Sequence, residues 1–313
     1  MKALIHARHL KKSFSSTIAV NSIGLDIMSG EIYGLVGSDG AGKTTTLRLL
    51  VGALQPDGGE IQLCGCDVSR QPEQARSQVG YLSQKFSLYE ELTVLENIHF
   101  FAEVRGIPSH EWLPRCIEIL DFVGLAGYRD RRAGQLSGGM KQKLGLATAL
   151  VSLPKVLLLD EPTTGVDPVT RQDFWQLIIR LVGAGDVAIL ITTPYMDEAS
   201  RCHRIGFMRT GKIAAEGTPS EMRAVLHERI IEMRGQPLKL LRQIRSASES
   251  VQDAHAFGDR LHLRVQKGQL KAAIKALPGL VRKGGGELVS LRSVPPTLED
   301  VFILLSQNGD LNG

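Results

Sequence analysis

Residues 37–44, with the sequence GSDGAGKT, constrain the fold of this 313-residue chain more than any other segment. They follow a short apolar run at residues 32–36 and precede an apolar-periodic stretch that predicts a helix. Glycines let backbone N–H groups turn toward an anion, and the start of a helix adds its positive dipole end. The segment therefore predicts a phosphate-binding loop between a strand and a helix.

The loop supplies both a cation and a hydroxyl group for phosphate chemistry. Lys43 is expected to reach the β- and γ-phosphates of a nucleotide, and Thr44 is expected to place its hydroxyl on Mg2+. An accidental glycine-rich turn is the alternative, and the flanking strand and helix patterns disfavour it. The candidate nucleotide-binding residues in this segment are Gly37, Ser38, Asp39, Gly40, Ala41, Gly42, Lys43, Thr44 and Thr45.

A second motif, VLLLDE at residues 156–161, has the pattern of a buried strand that ends in two adjacent carboxylates. Consecutive strand side chains point to opposite sides, so Asp160 is the candidate metal ligand and Glu161 the candidate general base for an attacking water. Taken alone, solvated acids at a strand end explain this motif equally well. A third apolar run at residues 187–191 completes three predicted parallel strands and an α/β core.

The spacing of these motifs narrows the class of phosphate-binding protein. Lys43 and Asp160 lie 117 positions apart (160 − 43), and helical patterning fills residues 92–104, 112–123 and 140–151 between them. A small GTPase or a nucleotide kinase gives no reason for such an insertion. The spacing therefore predicts a helical subdomain.

The string LSGGM at residues 136–140 stands at the start of the helix pattern MKQKLGLATAL. Ser137 offers a hydroxyl group, and Gly138 and Gly139 offer free N–H groups, to a second phosphate. Alone, the string is a common capping sequence before a helix. Together with the phosphate loop, it gives one chain two halves of a phosphate clamp.

Taken in order, these motifs resemble the ATP-binding subunit of an ABC transporter over nearly the whole of residues 1–222. Two further segments carry the resemblance, a glutamine loop at Gln84 and Gly165-Val-Asp167-Pro after the acidic strand end. The resemblance implies a P-loop NTPase of the α/β class, with an ABC-type helical subdomain at about residues 85–152. It also implies ATP and Mg2+ as cofactors.

The resemblance identifies residues 136–140 as the signature of the family. It further implies a head-to-tail pair of such subunits, with ATP held between the phosphate loop of one and the signature of the other. Ser137 and Gly139 would then serve the ATP of the partner subunit. Phe14 would stack on adenine, Gln84 would contact Mg2+ and the attacking water, and Asp167 would communicate across the dimer. Integral membrane permease subunits are the other implied partners, and nucleic acid is not one.

Two positions depart from the family pattern: Met140 stands where glutamine is commonest, a nearly neutral change, and Pro194 stands where the family has its switch histidine. Proline has no hydrogen-bond donor, in side chain or backbone. Losing one positioned donor in such a transition state costs on the order of 100- to 1000-fold in rate. His203 is expected in the following helix, too far away to substitute. The sequence thus predicts a slowed site and favours a heterodimer with a histidine-bearing ATPase over a homodimer.

Three functional classes fit some of these motifs. The first is an ATPase that drives solute transport. The second is a nucleotide-binding regulatory half with little turnover, which Pro194 permits and Glu161 argues against. The third is a soluble ABC ATPase of translation or DNA repair, which would be expected to carry a second ATPase domain or a long coiled coil.

A narrower resemblance concerns the transported solute. Residues 85–98, 218–222 and 295–305 resemble the ATPases of bacterial ABC-2 type drug exporters. This resemblance implies export of a drug-like solute from the cytoplasmic face of the inner (plasma) membrane, through separate permease subunits. The apolar residues Phe86, Leu88 and Tyr89 are candidates for the permease contact, although packing within the helical subdomain explains them equally well.

Residues 223–313 are expected to form a small α+β accessory domain. Strand patterns occur at residues 229–233 and 260–265, and helix patterns at 238–244 and 269–276. From Glu221 onward there are 14 Lys and Arg against 10 Asp and Glu, which leaves 23 of each before it. A solvated basic surface is the simplest interpretation of this excess. A cap on the dimer and a contact with the partner ATPase stay open.

Composition excludes several other classes. A net charge of +4 is too small to argue for a nucleic-acid surface, and four cysteines do not make a disulfide framework. The N-terminus lacks the apolar run of a signal peptide and predicts a strand. The most apolar stretch, residues 144–159, is interrupted by Pro154 and Lys155 and is too short to span a membrane. We therefore expect a reduced cytosolic protein at the membrane periphery.

Overall fold

A computed structural model describes residues 3–84, 88–237, 241 and 248–307. The chain divides into two compact units, Met1–Thr218 and Pro219–Gly313. The boundary predicted from the sequence, after residue 222, falls within the short helix Pro219–Ala224. That helix contacts helix Leu298–Gln307, which explains why the division falls before it.

A six-stranded sheet forms the centre of the first unit, and the phosphate-binding loop follows one of its middle strands. The strand order is β10-β9-β3-β8-β7-β6, and only β10 is antiparallel to its neighbour. The strands are β3 (Ile32–Val36), β6 (Val79–Leu82), β7 (Val156–Asp160), β8 (Ala188–Thr193), β9 (Arg204–Arg209) and β10 (Lys212–Gly217). The three predicted apolar runs are the adjacent strands β3, β8 and β7, in which every residue is buried.

A second, antiparallel sheet of four strands has the order β2-β1-β4-β5. Its strands are β1 (Ala3–Phe14), β2 (Thr17–Met28), β4 (Gly58–Leu63) and β5 (Cys66–Asp67). Helix α1 (Lys43–Leu50) follows the phosphate-binding loop, and Leu47 shares one apolar core with Leu10 of β1 and Leu158 of β7. Both sheets therefore hold α1 in place. The N-terminal strand predicted from sequence is confirmed.

The predicted helical insertion is confirmed between β6 and β7. It contains α3 (Val94–Val104), α4 (Ser109–Val123) and α5 (Gly138–Leu150), whereas the short helix α2 (Pro72–Ser77) precedes β6. Side-chain caps mark the starts of α3 and α5. Thr93 caps α3 through a reciprocal pair of hydrogen bonds with Glu96, and the Ser137 hydroxyl accepts a hydrogen bond from the Met140 N–H group.

Helix α6 (Pro168–Ala184) was not predicted, and it lies between β7 and β8 along the chain. Proline at its first position has a backbone angle already suited to a helix, and Asp167 accepts hydrogen bonds from the N–H groups of Val169 and Thr170. The single turn α7 (Met196–Ala199) follows β8.

The second unit is an α+β structure. Helix α8 (Pro219–Ala224) precedes strands β11 (Ile230–Gln236), β12 (Val251–Phe257) and β13 (Arg260–Val265), then helix α9 (Leu270–Lys283), strand β14 (Glu287–Ser293) and helix α10 (Leu298–Gln307). The antiparallel sheet has the order β12-β13-β11-β14, so β13, α9 and β14 make a split βαβ unit around β11. Apolar side chains of the sheet and of α9 form its core.

The strands predicted at residues 229–233 and 260–265 are found, whereas β12 was missed. The helix predicted at residues 269–276 continues to Lys283. The helix predicted at residues 238–244 lies outside the described residues, apart from Leu241. Among the helices that the structure describes, none has the length and apolar character needed to cross a membrane.

Candidate nucleotide-binding site

The phosphate-binding loop passes so close to neighbouring backbone that two of its glycines are steric requirements. A Cβ atom at Gly37 would lie 2.3 Å from the carbonyl oxygen of Met208, and one at Gly42 would lie 2.2 Å from that of Ala19. Gly42 also has a left-handed backbone, with φ 107°. Only glycine meets both conditions at Gly42, and its position caps α1.

A cavity of about 360 Å3 opens over this loop. It is lined by Thr17 and Ala19 of β2, residues 39–45, Gln84 and Glu161. These residues come from four separate stretches of the chain. The structure thus brings most of the predicted loop residues together with both predicted catalytic groups from outside the loop.

Lys43 is buried at the base of the cavity, where its ammonium group makes three contacts. Its Nζ donates hydrogen bonds to the carbonyl oxygens of Gly37 (2.8 Å) and Ser38 (3.0 Å). It also lies 3.0 Å from Oε1 of Glu161, and both side chains of this ion pair are nearly inaccessible to solvent. The loop therefore holds a buried cation directly beside the candidate general base.

Asp160 carries the atoms best suited to a divalent cation. Its Oδ1 accepts hydrogen bonds from the hydroxyl groups of Thr44 (3.0 Å) and Thr192 (2.8 Å). Its Oδ2 is buried and has no hydrogen-bond partner among the described residues. Burial raises the pKa of Asp160, the two hydroxyl groups oppose this, and the nearby Glu161 carboxylate raises it further. A free carboxylate oxygen beside a threonine hydroxyl fits Mg2+, which prefers oxygen ligands.

Glu161 departs from the strand geometry expected from the sequence. Strict alternation would send Asp160 and Glu161 to opposite sides, but β7 ends at Asp160 and Glu161 takes a left-handed backbone with φ 47°. Both carboxyl groups therefore contact adjacent residues of the phosphate-binding loop, Thr44 and Lys43. A non-glycine residue in this conformation is strained and needs its surroundings to hold it.

Thr192 and Gln84 both help to hold Glu161 in place. Its backbone N–H donates to the Thr192 hydroxyl at 2.9 Å, and its Oε2 accepts a hydrogen bond from Nε2 of Gln84 at 3.1 Å. Sequence analysis predicted Gln84 but missed Thr192. The signal for Thr192 was present, because two threonines end the otherwise apolar run of β8.

Ser137, Gly138 and Asp167 lie at the surface of the chain, away from the lining of this cavity in the described residues. Ser137 and Gly138 are exposed, and no described atom lies within 4 Å of a Cβ built on Gly138. Gly139 instead packs tightly, since its Cβ would lie 2.1 Å from Cγ2 of Thr170. Hydrogen bonds from Thr170 hold the pKa of the exposed Asp167 below its ordinary value.

Phe14 ends β1 and is also outside the lining of this cavity in the described residues. Its ring is 46% exposed, with Nζ of Lys12 5.7 Å from the ring centre. Phe14 is therefore partly exposed, but the structure does not bring it into the phosphate cavity.

Pro194 lies in a bend directly after β8, and it is half-buried. His203 was expected in the helix after it, and this was wrong because α7 ends at Ala199. Nδ1 of His203 instead accepts a hydrogen bond from the N–H of Ile32 at 2.9 Å. Ile32 is the first residue of β3, so about 13 Å of strand separates this histidine from the phosphate-binding loop.

Comparisons with known proteins agree with this geometry. Residues 20–164 match the family model described as ABC transporter. The chain is 37% identical over 307 residues to the probable multidrug ABC transporter ATP-binding protein YbhF of Escherichia coli K12, covering 96% of this chain and 52% of that protein. It thus spans about half the length of that relative.

Another relative is similar along its whole length. The chain is 34% identical over 308 residues to Nod factor export ATP-binding protein I of Cupriavidus metallidurans, covering 98% of each. Among solved structures, cbiO1 from Clostridium perfringens, part of the ABC transporter complex cbiONQ, matches 72% of this chain and 92% of its own with a TM-score of 0.66 and 28% identity.

The family resemblance read from the ordered motifs is thereby confirmed, and so is the predicted α/β P-loop fold. This chain belongs to the ATP-binding proteins of ABC transporters, a family of ATPases.

Proposed function

We propose that this chain binds Mg-ATP over residues 37–45 and hydrolyses it to drive solute export through separate membrane permease subunits. One observation carries the proposal. Lys43 and Gln84 both contact the Glu161 carboxyl group, at 3.0 and 3.1 Å, beside a buried Asp160 whose Oδ2 has no hydrogen-bond partner among the described residues. A cation, a metal ligand and a general base therefore meet at one phosphate-binding loop.

Binding relies on the backbone of the loop and on Lys43. The N–H groups at the start of α1 bind the phosphates, and the ammonium group moves from Glu161 to the β- and γ-phosphates. Thr44, Asp160 and Gln84 would hold Mg2+, which supplies neutralisation of charge that develops on the phosphate oxygens. Moving Lys43 onto the nucleotide frees the Glu161 carboxylate for catalysis.

Glu161 then acts as the general base. Its carboxylate accepts a proton as a water oxygen attacks the γ-phosphorus, and the bond to the leaving ADP oxygen breaks. Gln84 orients this carboxylate, and Thr192 holds the strained backbone of Glu161 through its N–H group.

The surface motifs serve a second ATPase subunit. Ser137, Gly138 and Gly139 face the nucleotide of the partner, Asp167 contacts the partner, and Phe14 stacks on adenine. The exposure of Ser137 and Gly138 supports this assignment, because no packing among the described residues explains a glycine at Gly138. Pro194 removes a donor that the partner would supply in its own site, so we favour a heterodimer over a homodimer.

The missing hydrogen-bond donor at Pro194 also supports a second candidate function. The chain could act as a nucleotide-binding regulatory half that dimerises on ATP with little turnover of its own. The two functions differ in whether Glu161 performs chemistry or only lies near the phosphate.

Export and its setting are supported by the names of relatives, which are described for multidrug and Nod factor export. We place the chain at the cytoplasmic face of the inner membrane, against permease subunits. Leu88 lines a cavity of about 300 Å3 together with Phe101 and is a candidate for that contact. Tyr89 instead packs edge-on against Phe100 with ring centres 4.6 Å apart, and Phe86 lies outside the described residues.

The test is Mg-ATP turnover of the purified chain, with Pro194→His and Glu161→Gln measured beside the wild type and nucleotide binding measured for all three. We expect binding by all three, slow turnover by the wild type, faster turnover by Pro194→His and none by Glu161→Gln. Fast wild-type turnover that histidine does not improve would refute the unequal pair. Turnover that Glu161→Gln retains would refute the role of Glu161.

A further inference from the structure

A buried carboxyl group joins the two loops that follow β7 and β8. Glu198 of α7 is 0% exposed. Its Oε2 accepts a hydrogen bond from the Thr193 hydroxyl at 2.6 Å, and its Oε1 accepts one from the Thr163 hydroxyl. Thr163 comes shortly after Glu161, and Thr193 directly precedes Pro194. One side chain therefore connects the segment of the general base to the segment of the switch position.

The same carboxyl group also reaches the first turn of α6. Nε of Arg171 lies 3.5 Å from Oε1 of Glu198, and its guanidinium group lies 4.3 Å from the centre of the Tyr195 ring. A second acid, Asp197, lies 3.6 Å from Nη1 of Arg171. This cluster thus ties α6, which Asp167 caps, to the residues on both sides of Pro194.

Because the side chains of Glu198, Thr163 and Thr193 are buried, their polar groups have no water to replace the hydrogen bonds among them. A buried carboxyl group requires hydrogen-bond donors, and Thr163 and Thr193 are themselves only 1% exposed. Neither hydroxyl can turn to water, so each loop is held at a fixed distance from Glu198. Thr192 restrains the backbone of Glu161 from one side, and Thr163 anchors the chain that leaves Glu161 on the other.

We propose that Glu198 is a positioning residue for ATP hydrolysis. Its carboxyl group fixes the loop after β7 to the loop after β8, and this keeps Glu161 in its strained conformation beside the nucleotide. Arg171 extends the same restraint to α6. The effect on hydrolysis rests on the function proposed above, whereas the connection between the two loops does not.

The connection is tested by amide hydrogen exchange on the full chain without nucleotide. Thr163→Val keeps the side-chain shape and removes the hydroxyl group. We expect exchange at residues 192–199 to become about tenfold faster, although the substitution lies in the other loop. Glu198→Gln should loosen both loops, and Thr163→Ser should restore the wild-type rates. If Thr163→Val changes exchange only at residues 161–166, Glu198 does not connect the loops.

Glu31→Gln is the matched control for removing a buried charge. Glu31 is 8% exposed and pairs with Arg204 at 3.0 Å, and it directly precedes β3, at the end away from the phosphate-binding loop. It should change exchange near Arg204 and leave both loops of the site unchanged. Equal loosening of those loops by Glu31→Gln would show a general loss of stability and overturn the proposal.

The positioning role is tested by single-turnover hydrolysis with excess protein, which also measures a slow site. Glu198→Gln should lower the rate about 10- to 100-fold, while the dissociation constant for an unhydrolysable Mg-ATP analogue changes less than about threefold. An unchanged rate would overturn the role in hydrolysis. A wild type that neither binds nor hydrolyses Mg-ATP would refute the proposed function instead, and the exchange experiment would still decide the connection.

Discussion

The two sides of the site differ in how their polar groups are held. The phosphate-loop side comprises residues 37–45, Asp160 and Glu161, and the switch side comprises Thr192, Thr193 and Pro194. On the loop side, Glu161 is strained and Oδ2 of Asp160 has no hydrogen-bond partner among the described residues. On the switch side, the hydroxyl groups of Thr192 and Thr193 are fully engaged, but Pro194 offers no donor. The phosphate-loop side carries the groups that are proposed to react, whereas the hydroxyl groups of the switch side hold the neighbouring backbone in position. The chemistry and the restraint that supports it thus come from different strands.

The largest expected effect lies on the loop side. Glu161→Gln removes the general base but keeps an amide that can remain beside Gln84, so ATP should bind while hydrolysis falls by about 1000-fold. Single-turnover hydrolysis and equilibrium nucleotide binding measure the two quantities. Loss of binding together with turnover would mean that the Lys43–Glu161 pair shapes the loop itself.

The next effect tests whether the switch side lacks only a donor. Pro194→His adds an imidazole to a segment that is already held by Thr193 and Glu198, and turnover should rise by about 100-fold. Steady-state phosphate release measures the gain, with Pro194→Ala as the control for removing the proline ring. A gain as large for alanine would trace the slow rate to backbone stiffness and not to the missing donor.

On the loop side, Gly42→Ala tests the steric requirement. The added Cβ would lie 2.2 Å from the Ala19 carbonyl oxygen on a left-handed backbone, so we expect a loss of about 1–3 kcal/mol in unfolding free energy and weaker nucleotide binding. Denaturant unfolding and nucleotide titration provide the values. Gly40→Ala is the matched variant, because Gly40 shares the left-handed backbone but its Cβ would contact no described atom within 4 Å. Equal losses for the two variants would show that the left-handed backbone, and not the contact with Ala19, causes the effect.

The smallest effect concerns a single hydroxyl that both sides share. Thr192→Val leaves the Glu161 N–H without its partner and removes one donor from Asp160. We expect about 1 kcal/mol less stability and a hydrolysis rate about tenfold lower. Thr192→Ser retains the hydroxyl group and should stay close to the wild type. If serine behaves like valine, the methyl group and not the hydrogen bonds matters.

The same contrast shows what a sequence can predict. Buried strands β3, β7 and β8 followed from apolar runs, and residues 37–44 followed from glycine spacing, since both signals are local. The strand β12 (Val251–Phe257) was missed because polar residues interrupt its apolar pattern. Local sequence patterns predict buried strands and turns well when residues adjacent in the chain determine these features.

Such local patterns do not predict the hydrogen bonds around the switch side. The hydroxyl of Thr163 and the carboxyl group of Glu198 are 35 positions apart, and Thr192 and Asp160 are 32 apart. Their contacts depend on which strands lie side by side, and no periodicity encodes that choice. The left-handed turn at Glu161 was equally invisible, because glutamate gives no local signal for it.

The contact between Gly139 and Thr170 has a mechanical consequence. A Cβ on Gly139 would lie 2.1 Å from the threonine methyl group, so the Thr170 side chain packs directly on the backbone of Gly139 where α5 and α6 begin. Close-packed interiors transmit displacement and do not absorb it. Thr170 precedes Arg171, which contacts Glu198. We therefore expect a displacement of the start of α5 to move the first turn of α6 and, through Arg171, the residues that flank Pro194.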